Sequence, residues 1–176
     1  MEKKHTVRLD LVKGEAIKVN LNRQERVMMI TPEAFVAMMK VLGAVFGTAG
    51  STMRFLMGEK KGRHDVSEKM NDLKAQEIVF TNNQIIESIL YQNRIAGWGA
   101  PELHEYNEKE RRIIIRVKNN PLATAWGKAE EPMCLYLKGY WKGVTSQILE
   151  KEARCTETKC MCKGDPYCEF LIETET

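Results

Sequence analysis

The chain has 176 residues, the size of one domain, and 43% hydrophobic with 29% charged side chains excludes an intrinsically disordered protein. A formal net charge of +3 and a pI near 8.5 fall short of the footprint of a nucleic-acid binder, which disfavours that partner. The opening Met1 to His5 leads into no apolar stretch, and the uncharged run 41–53 has 13 residues where a bilayer span takes about 20. The reading therefore expects no secretory leader, no membrane span and a cytoplasmic location.

The first thirty residues read as extended. Ile17, Val19 and Leu21 alternate with polar neighbours, residues 27–30 form a short apolar run, and residues 22–25 fit the turn between these two strands. Thr31-Pro32-Glu33 then opens a helix with a capping hydroxyl, a first-turn proline and an acid. Phe35, Met38, Met39, Leu42, Val45 and Phe46 follow at helical spacing and predict its apolar face. Gly43, Gly47 and Gly50 on this run suit close approach of another helix or a ligand, with ordinary tight packing as the plainer reading. Charges dominate 59–74, where Gly62 and Asp65 predict a loop and a break before a second helical piece.

Thr81 with Gln84 three residues later matches a capping box, and Ile85, Ile86, Ile89 and Leu90 carry the face of the helix it opens. Gly97-Trp98-Gly99-Ala100-Pro101 stops that helix. Residues 102–107 and the β-branched run 113–117 predict a hairpin, 132–150 a helix, and 167–172 a closing strand. This order predicts an α+β fold of one domain, with helices packed on one face of an antiparallel sheet. Its parts are N-terminal strands (1–30), helices with a central hairpin (31–130), and a last helix with closing strands (131–176).

Cysteine use is the strongest chemical signal. All five cysteines follow residue 133, and Cys155, Cys160, Cys162 and Cys168 crowd into fourteen positions. An odd number without a leader does not read as a disulfide framework, and thiolates in such a cluster suit a zinc site. The local four could form an all-thiolate site, and adding Cys134 and Glu157 gives a second candidate set.

Residues 134–143 carry Cys134 and Gly139-Tyr140-x-x-Gly143, followed by Glu157-x-x-Cys160, Gly164-Asp165 and Cys168-x-Phe170. This stretch resembles the vinyl-4-reductase (four-vinyl reductase) domain. The resemblance implies a fold shared with nitric-oxide-signalling ligand domains and Golgi-transport tethering subunits, often dimeric and enclosing an apolar cavity. Similar domains sense aromatic compounds in transcription activators, and their zinc ligands map by motif position onto Cys134, Glu157, Cys160 and Cys168. Cys155 and Cys162 are extra thiols, and Glu152 before Cys155 offers a second register. The Gly164-Asp165 spacing to Cys168 favours the first. Arg154, Lys159 and Lys163 are candidates to offset the negative charge of the site.

With the family in view, Met38, Met39, Phe46, Met53, Trp98, Trp126, Tyr136 and Tyr140 are candidates for an apolar pocket, the alternative being ordinary core. The function so implied is a zinc-stabilised module that binds or senses a small hydrophobic or aromatic molecule, as a homodimer through the first helix. The alternative is a reductase or accessory protein acting on a tetrapyrrole vinyl group. No nucleotide-binding or nucleophile-elbow motif is present, and His5, His64 and His104 are dispersed among charged residues. Arg94 and Arg116 are candidates to meet an acidic ligand or to form surface salt bridges.

Overall fold

Capping side chains and prolines set where the helices begin, and glycines set how closely they approach. The structure, a computed structural model, describes residues 9–12, 15–20 and 23–174, and those before residue 28 by their backbone alone. A meander of β1 (Leu9–Val12), β2 (Glu15–Asn20) and β3 (Arg23–Val27) pairs antiparallel in that order. The turn expected at 22–25 is shifted, because Arg23 already pairs with Asn20; Leu21 and Asn22 lie outside the described residues. Met28, Met29 and Ile30, expected in a strand, follow β3 as an exposed irregular segment.

In α1 (Pro32–Phe46), the Thr31 hydroxyl accepts from Ala34 N at 3.3 Å. The chain breaks at Gly47, where φ is 54°, and α2 (Thr48–Ala75) follows at once. The loop expected at Gly62 and Asp65 is instead the middle of this 28-residue helix. Next come α3 (Asn82–Ile95), opened by the Thr81–Gln84 capping box, then β4 (Ala100–Asn107) and β5 (Arg112–Lys118). A short α4 (Pro121–Trp126) precedes α5 (Leu135–Leu149), β6 (Ala153–Lys159) and β7 (Cys168–Thr174). The expected helix over 132–150 thus starts three residues later, with Cys134 at its N-cap.

The architecture is α+β. The second sheet is antiparallel in the order β4-β5-β7-β6, with α3 and α5 against it. Period-two alternation turns Ile113, Ile115 and Val117, then Cys168, Phe170 and Ile172, inward, all buried beneath Leu137, Trp141 and Val144 of α5.

The long helix α2 lies along α5. A Cβ at Gly58 would sit 1.9 Å from the Tyr136 carbonyl oxygen, and one at Gly139 would sit 1.9 Å from that of Phe55. Charges join the two helices where the loop was expected. Glu59 Oε1 accepts from Lys142 Nζ at 2.8 Å and from Arg63 at 3.0 Å, and Arg63 reaches Glu152 at 2.6 Å. Paired across the helices, these charges need no loop to carry them into water.

Candidate metal centre and the pockets beside it

Four elements converge at the open end of the sheet. Cys134 caps α5, Glu157 comes from β6, Cys160 ends the segment after β6, and Cys168 starts β7. In β6 the alternation that buries Ala153 and Cys155 also turns Glu157 inward. After Cys160 a 3₁₀ turn, residues Met161–Lys163, ends at Gly164 with φ 99°. Asp165 Oδ2 ties that turn by accepting from Cys160 N at 2.8 Å.

The ligand atoms of Cys134, Glu157, Cys160 and Cys168 all lie within 4.8 Å of one another, and all four residues are buried. Cys134 Sγ is 3.6 Å from Cys168 Sγ and 3.9 Å from Cys160 Sγ. Tetrahedral zinc with bonds of about 2.3 Å would set sulfurs about 3.8 Å apart, so the spacing fits that ion. Glu157 Oε2 accepts from Cys134 N at 3.1 Å, while its buried Oε1 has no partner among the described residues. A carboxylate oxygen left orphaned beside three sulfurs is what a cation would satisfy.

Electrostatics point the same way. Burial first, and then the Cys160 sulfur, pushes the Glu157 carboxyl up to about 8. Neighbouring sulfurs, Cys160 foremost, push the Cys134 thiol well above its ordinary value. Hydrogen bonding from Cys134 and then Cys168 pulls Cys160 down. Four acids crowded in a dry site resist joint ionisation, and a divalent ion relieves that crowding.

The surroundings donate neutral N–H groups to the sulfurs. Asn120, fully buried, donates from Nδ2 to Cys134 Sγ and to Cys168 Sγ, at 3.3 Å each. Its Oδ1 meanwhile caps α4 by accepting from Leu122 N at 3.0 Å. Met161 N adds a bond to Cys168 Sγ at 3.4 Å. The expected cations lie elsewhere: Arg154 and Lys163 are exposed, and Lys159 donates to the Tyr167 hydroxyl at 2.9 Å. Sequence reasoning missed Asn120, although an asparagine before Pro121 is a visible helix-start signal.

The extra thiols stand outside this cluster. Cys162 donates to Ala123 O at 3.5 Å, and Cys155 is buried on β6 opposite Ile172, where burial pushes its thiol up to about 12. Glu152 is exposed and pairs with Arg63 and Lys142, which removes the second register.

Two pockets flank α5 near its start, and Tyr136 lines both. The first is bounded by Met39, Leu122, Trp126 and Met133, by Arg54, and on its metal side by Cys134 and Cys162. The second is bounded by Trp98, Leu137 and Tyr140, with Asp65 and Asn93. Between them Tyr136 stacks on Trp98 at 5.6 Å, and Phe35 meets both rings edge-on. The Tyr140 hydroxyl accepts from Asn93 Nδ2 at 2.7 Å and donates to Asp65 at 3.0 Å. Met38, Phe46 and Met53 line neither pocket; they are 49%, 50% and 41% exposed. The reason is that α1 packs on α2 and α4 through Val36 and Met39, leaving its opposite stripe uncovered among the described residues.

His64 and His104 are exposed, and His5 lies outside the described residues. Asp65, expected as a partner of His64, bonds with Tyr140 and Lys61. Arg94 donates to Pro101 O at 2.9 Å and Arg116 pairs with Glu169 at 2.6 Å, so both are committed within the fold.

Helices laid on one face of a four-stranded antiparallel sheet define the fold class of known sensory and signalling domains. The phenol-responsive sensory domain of the transcription activator PoxR shares it, with a TM-score of 0.76 at 18% identity over 95% of this chain and 84% of that one. A vinyl-4-reductase family protein from Methanocaldococcus jannaschii has a TM-score of 0.58 at 17% identity, covering 85% of each chain. Residues 113–174 match the vinyl-4-reductase domain family, so the chain carries a domain of that family, and the four clustered ligand residues all fall inside it. Uncharacterized protein MJ0150 of Methanocaldococcus jannaschii is 28% identical over 97 residues, 53% of this chain and 53% of that protein. The chain thus spans about half the length of that relative.

Proposed function

We propose that this protein is a zinc-clamped module that binds a small hydrophobic or aromatic molecule and acts in sensing, as a homodimer in the cytoplasm. The observation that carries the reading is Cys134, which belongs both to the ligand cluster and to the wall of an apolar pocket. Zinc would be held by Cys134, Glu157, Cys160 and Cys168 and would tie α5 to the last two strands, a structural role. The sensory part of the reading is supported by likeness of fold to a phenol-responsive domain.

A second copy of the chain is the proposed cover for the outer face of the first two helices. Val41, Val45 and Phe46 on α1, with Leu56 and Met57 on α2, form apolar stripes left in water. Free buried thiols suit a reducing compartment, and among the described residues no helix is long and apolar enough to cross a membrane.

Native mass spectrometry of the purified chain with and without phenol tests the three parts together. The expected species is a dimer with one zinc per chain, gaining the mass of phenol, and Val45→Glu should yield a zinc-bearing monomer. A metal-free monomer that takes up no aromatic compound would refute the proposal.

A further inference from the structure

We propose that the pocket beside the metal centre selects ligands that carry a carboxylate on an apolar body, with the Arg54 guanidinium supplying the counter-charge. This rests on the reading of that pocket as a ligand site. Arg54 is 6% exposed, and its Nε is buried without a hydrogen-bond partner. Its Nη2 donates to Ser51 Oγ at 2.8 Å, and its guanidinium lies over the Trp126 ring at 5.2 Å.

What it lacks is an anion. Arg63, Arg112 and Arg116 each pair with a glutamate, but no carboxylate pairs with Arg54 among the described residues. Arginine does not shed its proton, so burial leaves the charge in place and costly unless something answers it. Stacking on Trp126 satisfies the face of the guanidinium and leaves its N–H edge free.

The pocket agrees with that edge. No acidic side chain lines it, and its walls are otherwise apolar or sulfur-bearing. At the rim Lys40 donates to Trp126 O at 3.1 Å and lies 5.2 Å from the same ring, so a second cation guards the approach. The space is about 330 Å³ and partly open to solvent. A planar carboxylate matches the guanidinium fork, and Met39, Leu122 and Met133 would receive the apolar body.

Calorimetric titration of the purified full chain with sodium benzoate and with benzyl alcohol, near physiological salt, tests this. Benzoate should bind about ten- to a hundredfold more tightly, the range expected for a charge-assisted hydrogen bond. Arg54→Met should erase that preference and still bind benzyl alcohol; Arg54→Lys, which keeps the charge, should retain part of it. Benzyl alcohol binding as tightly as benzoate to the unaltered chain overturns the carboxylate inference while the pocket reading stands. A preference unchanged in Arg54→Met, or in Arg54→Lys and in benzamide competition should the first variant not fold, also overturns it. Binding of neither probe overturns the pocket reading as well.

Discussion

Asn120 and Cys168 stand 48 residues apart in sequence, and the carboxamide of the first donates to the sulfur of the second at 3.3 Å. The same side chain caps α4, so helix start and metal site are fixed by one residue. Asn120→Ala should weaken zinc binding about ten- to a hundredfold and cost roughly 1 kcal/mol through the lost cap. Asn120→Asp should restore the cap while setting an anion against the sulfurs, so its zinc affinity should remain low. Chelator competition and denaturant unfolding read the two effects separately.

The ligand assignment has its own test. Cys155→Ala and Glu152→Gln should retain one zinc per chain, because neither side chain belongs to the cluster. Cys134→Ser and Glu157→Gln should lower zinc content after dialysis against a weak chelator. Full retention of zinc in both of the latter would remove the proposed set.

Helix contact at α2 and α5 leaves no room for a methyl group. Gly139→Ala would place Cβ 1.9 Å from the backbone oxygen of Phe55, so the helices must part. The expected loss is at least about 3 kcal/mol in urea unfolding, the upper range for overpacking. Gly127→Ala meets no atom within 4 Å and strains only a φ of 86°, so it should cost about 1–2 kcal/mol.

A pH dependence follows from Glu59. Burial alone would raise its carboxyl, but the hydrogen bonds and charges of Lys142 and Arg63 outweigh that and hold it below the ordinary 4.5. An acid lowered on folding adds stability above its unfolded value and loses it as pH falls through the folded one. Lys142→Met should therefore cost about 1 kcal/mol at neutral pH, with the difference shrinking below pH 4.5 as Glu59 protonates. A cost that is flat from pH 7 to 3 would contradict this.

Features written in short stretches of sequence were legible. Thr31-Pro32 and Thr81 with Gln84 mark helix starts because capping chemistry is local, and both hydroxyls accept as the spacing implied. The four residues that converge were nameable only through a resembling motif, since Cys134 lies 26 residues before Cys160. The run 59–74 misled because its charges looked solvated, whereas Glu59 and Arg63 face Lys142 and Glu152 more than 80 residues away. The stripe on α1 misled in the opposite sense: its spacing is helical, but Met38 and Phe46 face outward. Arg54 carried no signal at all, because an unpaired charge is visible only when its neighbours are known.

Cys134 also joins two binding events. Its sulfur sits among the clustered ligands and its flank walls the Arg54 pocket, so an occupant on either side constrains the same side chain. Thermodynamic reciprocity then makes any tightening of metal by an organic occupant equal to the tightening of that occupant by metal. Cellular zinc supply would set the threshold at which such a receptor responds.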